Sequence, residues 1–414
     1  MKKILVVFMV VAFLLPAAVV GAQTTVNVWF GREEFIPADA FETFHAENPD
    51  IRVEFDVIPL EESHVDYMRN HAVGIAPDIV QIFHEFTATM VVRGTLLDIT
   101  EYIEAWAEED PEDFADIYDI AFTLTTYEDG IYGINIHSAP YYMGYRKDWL
   151  AEAGLTEPQT WEELLDACRV LQAEVLTGDQ FAYSQPGGAH HPPFWMTATF
   201  MSMGGQFRDT GTPIIDSEAG IALIDFYQTL ANEGLQDPEA HAWASGDFRG
   251  AFMGDRAAFF PEAINIFAYT KDVLDYATEW EVMVQPPRAG AEDDFVVNTF
   301  GWPYMVNSDT ENPEAVMKVL RYLFDPDIVS DVALRYQPAN RASVLTSEAY
   351  YEAHPYFPIL EEAHGQQIPY PVHLRSVERA DILNEMKYVA QQVPAQYTPE
   401  EIAARYQELL DALD

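Results

Sequence analysis

With 414 residues, 49% of them hydrophobic and 13% aromatic, the chain has material for two sizeable cores and is no disordered polymer. Its 22 basic and 68 acidic residues give a formal net charge of −46. A field of that sign repels nucleic acid and anionic lipid, which excludes both as partners. Self-repulsion on this scale is relieved by salt, so the charge suggests saline surroundings; the plainer alternative is an acidic protein of ordinary habitat.

Residues 1–22 read as a signal peptide. Lys2 and Lys3 form a basic start, Ile4 to Leu15 an apolar run, and Val20-Gly21-Ala22 a small-residue cleavage site, so the mature chain is expected to begin at Gln23. The apolar run is short for a membrane span. No Cys follows it, which excludes a lipoprotein anchor and suggests a periplasmic address. The single Cys168 permits no intrachain disulfide and falls on the apolar face of a helix, where it reads as a small core residue.

Val26 to Phe30 alternates as a first strand, and a helix with Phe41 and Phe44 inward stops at Asn48-Pro49. Ile51 to Phe55 is a second strand, Glu61 to Val73 a helix, and Pro77 to Phe83 a third strand. Strand, helix, strand, helix, strand at this spacing means a parallel α/β sheet. Ligands of such sheets sit beyond the carboxyl ends of the strands. That makes Trp29, Arg32, Glu33, His84 and Glu85 candidate site residues.

Asp129-Gly130 is a turn, Ile131 to Ile136 a β-prone run, and His137 to Tyr142 a polar, aromatic loop that includes Tyr141. A short helix after Tyr145-Arg146-Lys147-Asp148 stops at Gly154. Thr160 then opens a helix with a capping box to Glu163. Gln185 to Gly205 is rich in rings and turn formers, including Pro192-Pro193-Phe194-Trp195. Trp195 and Trp243 are candidate sugar platforms, because a pyranose packs its C–H face on a ring. A helix over 218–233 follows.

In this order the residues closely resemble the family 1 extracellular solute-binding proteins, the maltose-binding-protein-like binding subunits of ATP-driven sugar importers. The resemblance runs through Pro77-Asp78-Ile79, Gly94 to Thr100, Asp129-Gly130, Tyr132-Gly133, Tyr145 to Asp148, Ala153-Gly154-Leu155 and Thr160-Trp161-Glu162-Glu163-Leu164. It continues in Gly254 to Ala258, Phe300-Gly301-Trp302 and Asn312 to Ala315. It implies a periplasmic binding protein type II fold, two α/β lobes joined by a multi-strand hinge with the ligand cleft between them. The implied first lobe is 23–134 plus 261–310, and the second 135–260 plus 311–414. The implied crossings lie near 134–137, 257–261 and 308–313, with the strand after Phe248 carrying the chain back to the first lobe. A monomer that closes over a small carbohydrate and meets membrane permease subunits is expected, with no cofactor, no metal and no catalysis. The resemblance also implies the remaining candidate site residues: Phe260 to Asn265, which contains Glu262, facing the cleft, and Gly301 and Trp302 in a Gly-rich turn that lines the site; Arg341, in a stretch similar to the family's Pro-x-Arg element, could bond ligand or cap helices.

The residues leave other readings open. No metalloprotease, nucleophile-elbow, P-loop or dinucleotide motif is present, but two of 68 acids could converge as a glycosidase pair. A polysaccharide-adhesion module and a polyamine binder also fit. Tyr141-Tyr142 is similar to the tyrosine pair of ferric-ion binders, and His190-His191 alone make a poor metal pair.

Overall fold

The computed structural model describes residues 23–185, 187, 194–208, 210–291, 296–364, 367–369, 377–392 and 396–414. The expected signal peptide and His190-His191 lie outside them, as do Pro192 and Pro193. Two mixed sheets organise two lobes. In the first, Ile51–Val57, Thr24–Phe30 and Ile79–Gln81 run parallel, and Tyr304–Val306 lies antiparallel between Ile79–Gln81 and Gly133–Ile134. Alternation decides which face is core: Val26, Val28 and Phe30 are buried together, whereas Trp29 turns to the other side, beside Tyr67, Val80 and Met305.

Ser138–Arg146 is the centre of the second sheet. It pairs with Ala257–Ala263 on one side and with Val297–Gly301 and Trp280–Met283 on the other. The loop expected over 137–142 is therefore a fully buried strand. Its rings and small residues look loop-like in sequence, but a strand covered on both faces needs no alternation. Pro140 is tolerated because it pairs only with Thr299, the second neighbour beginning at Tyr141.

Around this sheet the expected helices form. Thr160 caps Trp161–Glu174 by accepting from Glu163 N at 3.2 Å, while the Glu163 carboxylate reaches back to Gln159 N at 2.8 Å, one residue beyond the box. Thr398 and Glu401 form the complete reciprocal box on Pro399–Asp411.

The chain passes between the sheets from Ile134 to Ser138 and from Gly301 to Tyr304. The second passage corrects an expectation. Ala257–Ala263 does not return to the first sheet but stays in the second, and Trp280–Met283 and Val297–Gly301 follow it there. The helix Pro313–Leu323, expected in the second lobe, packs on the first: Tyr322 lies 5.2 Å from Phe44 and bonds the Asp39 carboxylate, and Phe324 meets Trp106. Only later does the chain rejoin the second lobe, where Tyr356 packs on Phe267 and Trp280.

At the crossings the backbones come close. A Cβ on Gly133 would collide with the Tyr304 carbonyl, so glycine is required for the two segments to touch.

Candidate functional site

A cavity of about 530 Å³ opens between the two sheets. From the first lobe come Arg32, just beyond Thr24–Phe30, Phe83 and Glu85, just beyond Ile79–Gln81, and Glu61 at the start of the helix Leu60–His71. These are carboxyl ends of parallel strands, or segments beside them, as sheet topology requires. From the second lobe come Tyr141 on the central strand, Phe194 and Trp195 on the helix Phe194–Ser202, and Arg249 on the helix Ser245–Met253. Glu262 and Tyr269 add to that wall, Tyr336 stands beside Phe35, and Phe300 and Trp302 flank the second crossing.

The rings form a continuous wall. Trp195 meets Tyr141 edge-on at 6.0 Å, Tyr141 lies 5.5 Å from Phe300, and Phe300 meets Trp302 at 5.3 Å and 77°. Phe194 stacks on Phe300 at 5.2 Å. Such a wall offers apolar faces for C–H groups while its edges and tips can hydrogen-bond.

Charge is held just as specifically. The wholly buried Glu262 carboxylate accepts from Arg249 Nε at 2.6 Å and from the Ala263 amide at 2.7 Å. Burial pushes the Glu262 carboxyl above its usual range even so, against the pull of Arg249. Arg32 lies with its guanidinium 5.6 Å from the Trp302 ring centre.

His84 and Gly301 are built into the frame. Buried His84 sets Nδ1 3.3 Å from the Gly301 carbonyl oxygen and 3.4 Å from its amide nitrogen, tying the first lobe to the second crossing. A Cβ on Gly301 would strike the buried Asn135 side chain beside the first crossing.

Of the sequence candidates, the fold thus gathers Arg32, Glu85, Tyr141, Trp195, Glu262 and Trp302 around one space, with His84 and Gly301 behind it. Trp29 lies in a different groove, with Arg52 and Asp56. Glu33 is exposed on its turn, and Trp243 is covered by Arg256, 5.9 Å away. Arg341 is buried and donates Nε to the Phe324 carbonyl at 2.6 Å and Nη1 to Asp113 at 2.7 Å, so it caps the helix Pro313–Leu323. Tyr142 alternates away from Tyr141 and is buried. Among the described residues no group of three His, Cys, Asp or Glu gathers to hold a metal.

Sequence reasoning missed Arg249, Tyr269 and Tyr336. Arg249 stands next to a quoted motif residue, Phe248, but only the pairing of its helix with the strand carrying Glu262 gives it meaning. Nothing in sequence marks the two tyrosines.

Residues 31–329 match the bacterial extracellular solute-binding protein family. The fold is similar to that of MalE3 from T. maritima in its maltose-bound structure, at 21% identity and TM-score 0.75 over 95% of this chain and 100% of that one. It is also similar to the sugar-binding protein MalE of Xanthomonas citri, at 17% identity and TM-score 0.79 over 94% and 98%. A solute-binding protein of Agrobacterium radiobacter K84 in complex with ribitol matches at 18% and 0.73 over 95% and 100%. At these identities the likeness establishes the architecture, the maltose-binding-protein-like type II fold.

Proposed function

This chain belongs to the bacterial extracellular solute-binding protein family, and from that premise we propose that it captures a carbohydrate between its lobes and delivers it to the permease subunits of an ABC importer. The observation that supports a sugar is the composition of the cavity: a ring wall from Trp195 to Trp302 on one side and carboxylates and a guanidinium on the other. Rings alone would suit any apolar solute. Rings combined with Glu85, Glu262 and Arg249 suit one that presents C–H faces and hydroxyls together. The maltose and ribitol in related structures are solutes of that kind.

The mechanism follows from the crossings. Segments 134–138 and 301–304 form the core of a hinge, and a solute touching both walls binds the closed arrangement better, which shifts the population toward it. The protein makes and breaks no bond, acts as a monomer, and works in the periplasm after loss of residues 1–22. Among the described residues no helix is long and apolar enough to cross a membrane.

A thermal-shift screen of sugars, polyols and polyamines tests the reading. A sugar or polyol should raise the unfolding temperature by mass action and reduce the radius of gyration in small-angle scattering. Stabilisation by a polyamine only, or release of reducing ends from an oligosaccharide, would refute it.

A further inference from the structure

The charge balance around Arg32 narrows the solute. In a chain with three acids for every base, arginines find carboxylates readily, and among the described residues every one that is not fully exposed does so except Arg32. Arg146 pairs with Asp148 and Asp255, Arg249 with Glu262, Arg256 with Asp179 and Asp237, Arg288 with Glu218, Arg321 with Glu109 and Arg341 with Asp113. Arg32, half-buried in the cavity wall, is in no ion pair with any of the described residues. Its Nε–H is buried without a hydrogen-bond acceptor, and so is the Nε1–H of Trp302, the ring against which the guanidinium lies. A buried donor left without an acceptor costs about 1–3 kcal/mol, so two of them on one wall call for a partner that comes from outside.

A neutral hydroxyl could accept from either donor but would leave the guanidinium charge unmatched. A carboxylate satisfies both needs, since it accepts two N–H bonds side by side in the plane that a guanidinium presents. A single negative charge also fits better than two: Glu61, Glu85 and Glu262 surround the same space, and only Arg32 is left to balance the newcomer.

We propose that the solute is an acidic saccharide, a hexuronate or a short oligosaccharide containing one, with its carboxylate seated on Arg32 and the Trp302 indole N–H and its hydroxyls turned toward Glu85 and Glu262. This rests on the carbohydrate-binding reading above and specifies it.

Calorimetric titration decides the matter. The probes are D-galacturonate, D-glucuronate and di- and trigalacturonate, each against the neutral sugar of the same skeleton and against glucose 6-phosphate. The full-length mature protein and its Arg32→Gln variant are compared. At least one uronate should bind 10-fold or more tighter than its neutral counterpart and tighter than the sugar phosphate. Arg32→Gln should weaken that uronate about 10- to 100-fold, the worth of charge-assisted bonds, and weaken it at least about 5-fold more than the neutral sugar of the same skeleton; an unchanged circular-dichroism spectrum and unfolding temperature of the ligand-free variant report that it is folded. Neutral sugars binding as tightly as uronates, a preference for the phosphate, or an unchanged preference in Arg32→Gln would overturn the inference and leave the carbohydrate reading in place. Silence toward every sugar would overturn both.

Discussion

The Arg249–Glu262 pair makes a prediction whose size and pH dependence both follow from geometry. Glu262 is wholly buried and, among the described residues, its cationic partner is Arg249, at 2.6 Å. Replacing Arg249 by Met keeps most of the volume and takes the guanidinium from a buried carboxylate that still has the Ala263 amide and the Trp195 side chain beside it. Removing one member of a buried pair costs about 3–5 kcal/mol when the other stays charged. Glu262 has an escape, however, because it can take up a proton. Its folded pKa already lies above the unfolded value, so between the two the folded state holds more protons and stability falls as pH rises. Loss of Arg249 extends that window upward. Urea unfolding of Arg249→Met at pH 8 should therefore show nearly the full loss, and at pH 5 a loss smaller by about 1–3 kcal/mol, each pKa unit being worth 1.36 kcal/mol. Glu262→Gln, which cannot titrate, should abolish the pH difference. Equal losses for Arg249→Met at both pH values would show that the pair is not electrostatically coupled as described.

Three further outcomes are expected. Burial holds His137 and His364 at about 3 and His354 at about 4, against 6.5 when unfolded, so below pH 6.5 the unfolded state binds more protons and stability is lost. By pH 5 each should cost about 2 kcal/mol, and His137→Phe should visibly flatten the slope of unfolding free energy against pH. Arg341→Met should destabilise by about 3–5 kcal/mol in denaturant unfolding yet leave solute affinity within 2- to 3-fold, since the guanidinium serves Phe324 and Asp113; a large affinity loss with stability intact would return it to the site. Gly133→Ala should cost about 1–3 kcal/mol by pushing the Tyr304 carbonyl away, and scattering should show an altered resting separation of the lobes.

Local chemistry was the legible part of the sequence. The Thr160 and Thr398 caps, the alternating strands at Thr24 and Ile51, and the strand ends that carry Arg32 and Glu85 all follow from residues within a few positions of each other. Ser138–Arg146 was not legible, because a central strand buried on both faces has no period to detect and its Tyr-Tyr and Pro resemble a loop. The same burial misled the assignment of crossings. Ala257–Ala263 has the hydrophobicity of a strand in either lobe, and only its antiparallel register with Tyr141 to Tyr145 assigns it to the second. Trp29 lies outside the cavity because alternation along its strand turns it away from the core face of Val28 and Phe30, toward Tyr67 and Met305.

The division of labour between the walls has a consequence for closure. Tyr141, Trp195 and Phe300 belong to the second lobe, whereas the first supplies Arg32, Glu61 and Glu85 with Phe83, and Tyr336 stands beside its Phe35. A solute can therefore stack on the second lobe while the lobes are apart, and that contact, equal in both arrangements, does nothing to close them. Only bonds gained when the first lobe arrives carry differential affinity, and moving an equilibrium from 1:99 to 99:1 takes about 5.5 kcal/mol of it. Two charge-assisted bonds at about 1.5–3 kcal/mol each are of that size. In the proposed cycle the rings set how tightly a sugar is held, and Arg32 determines whether holding it shuts the jaw.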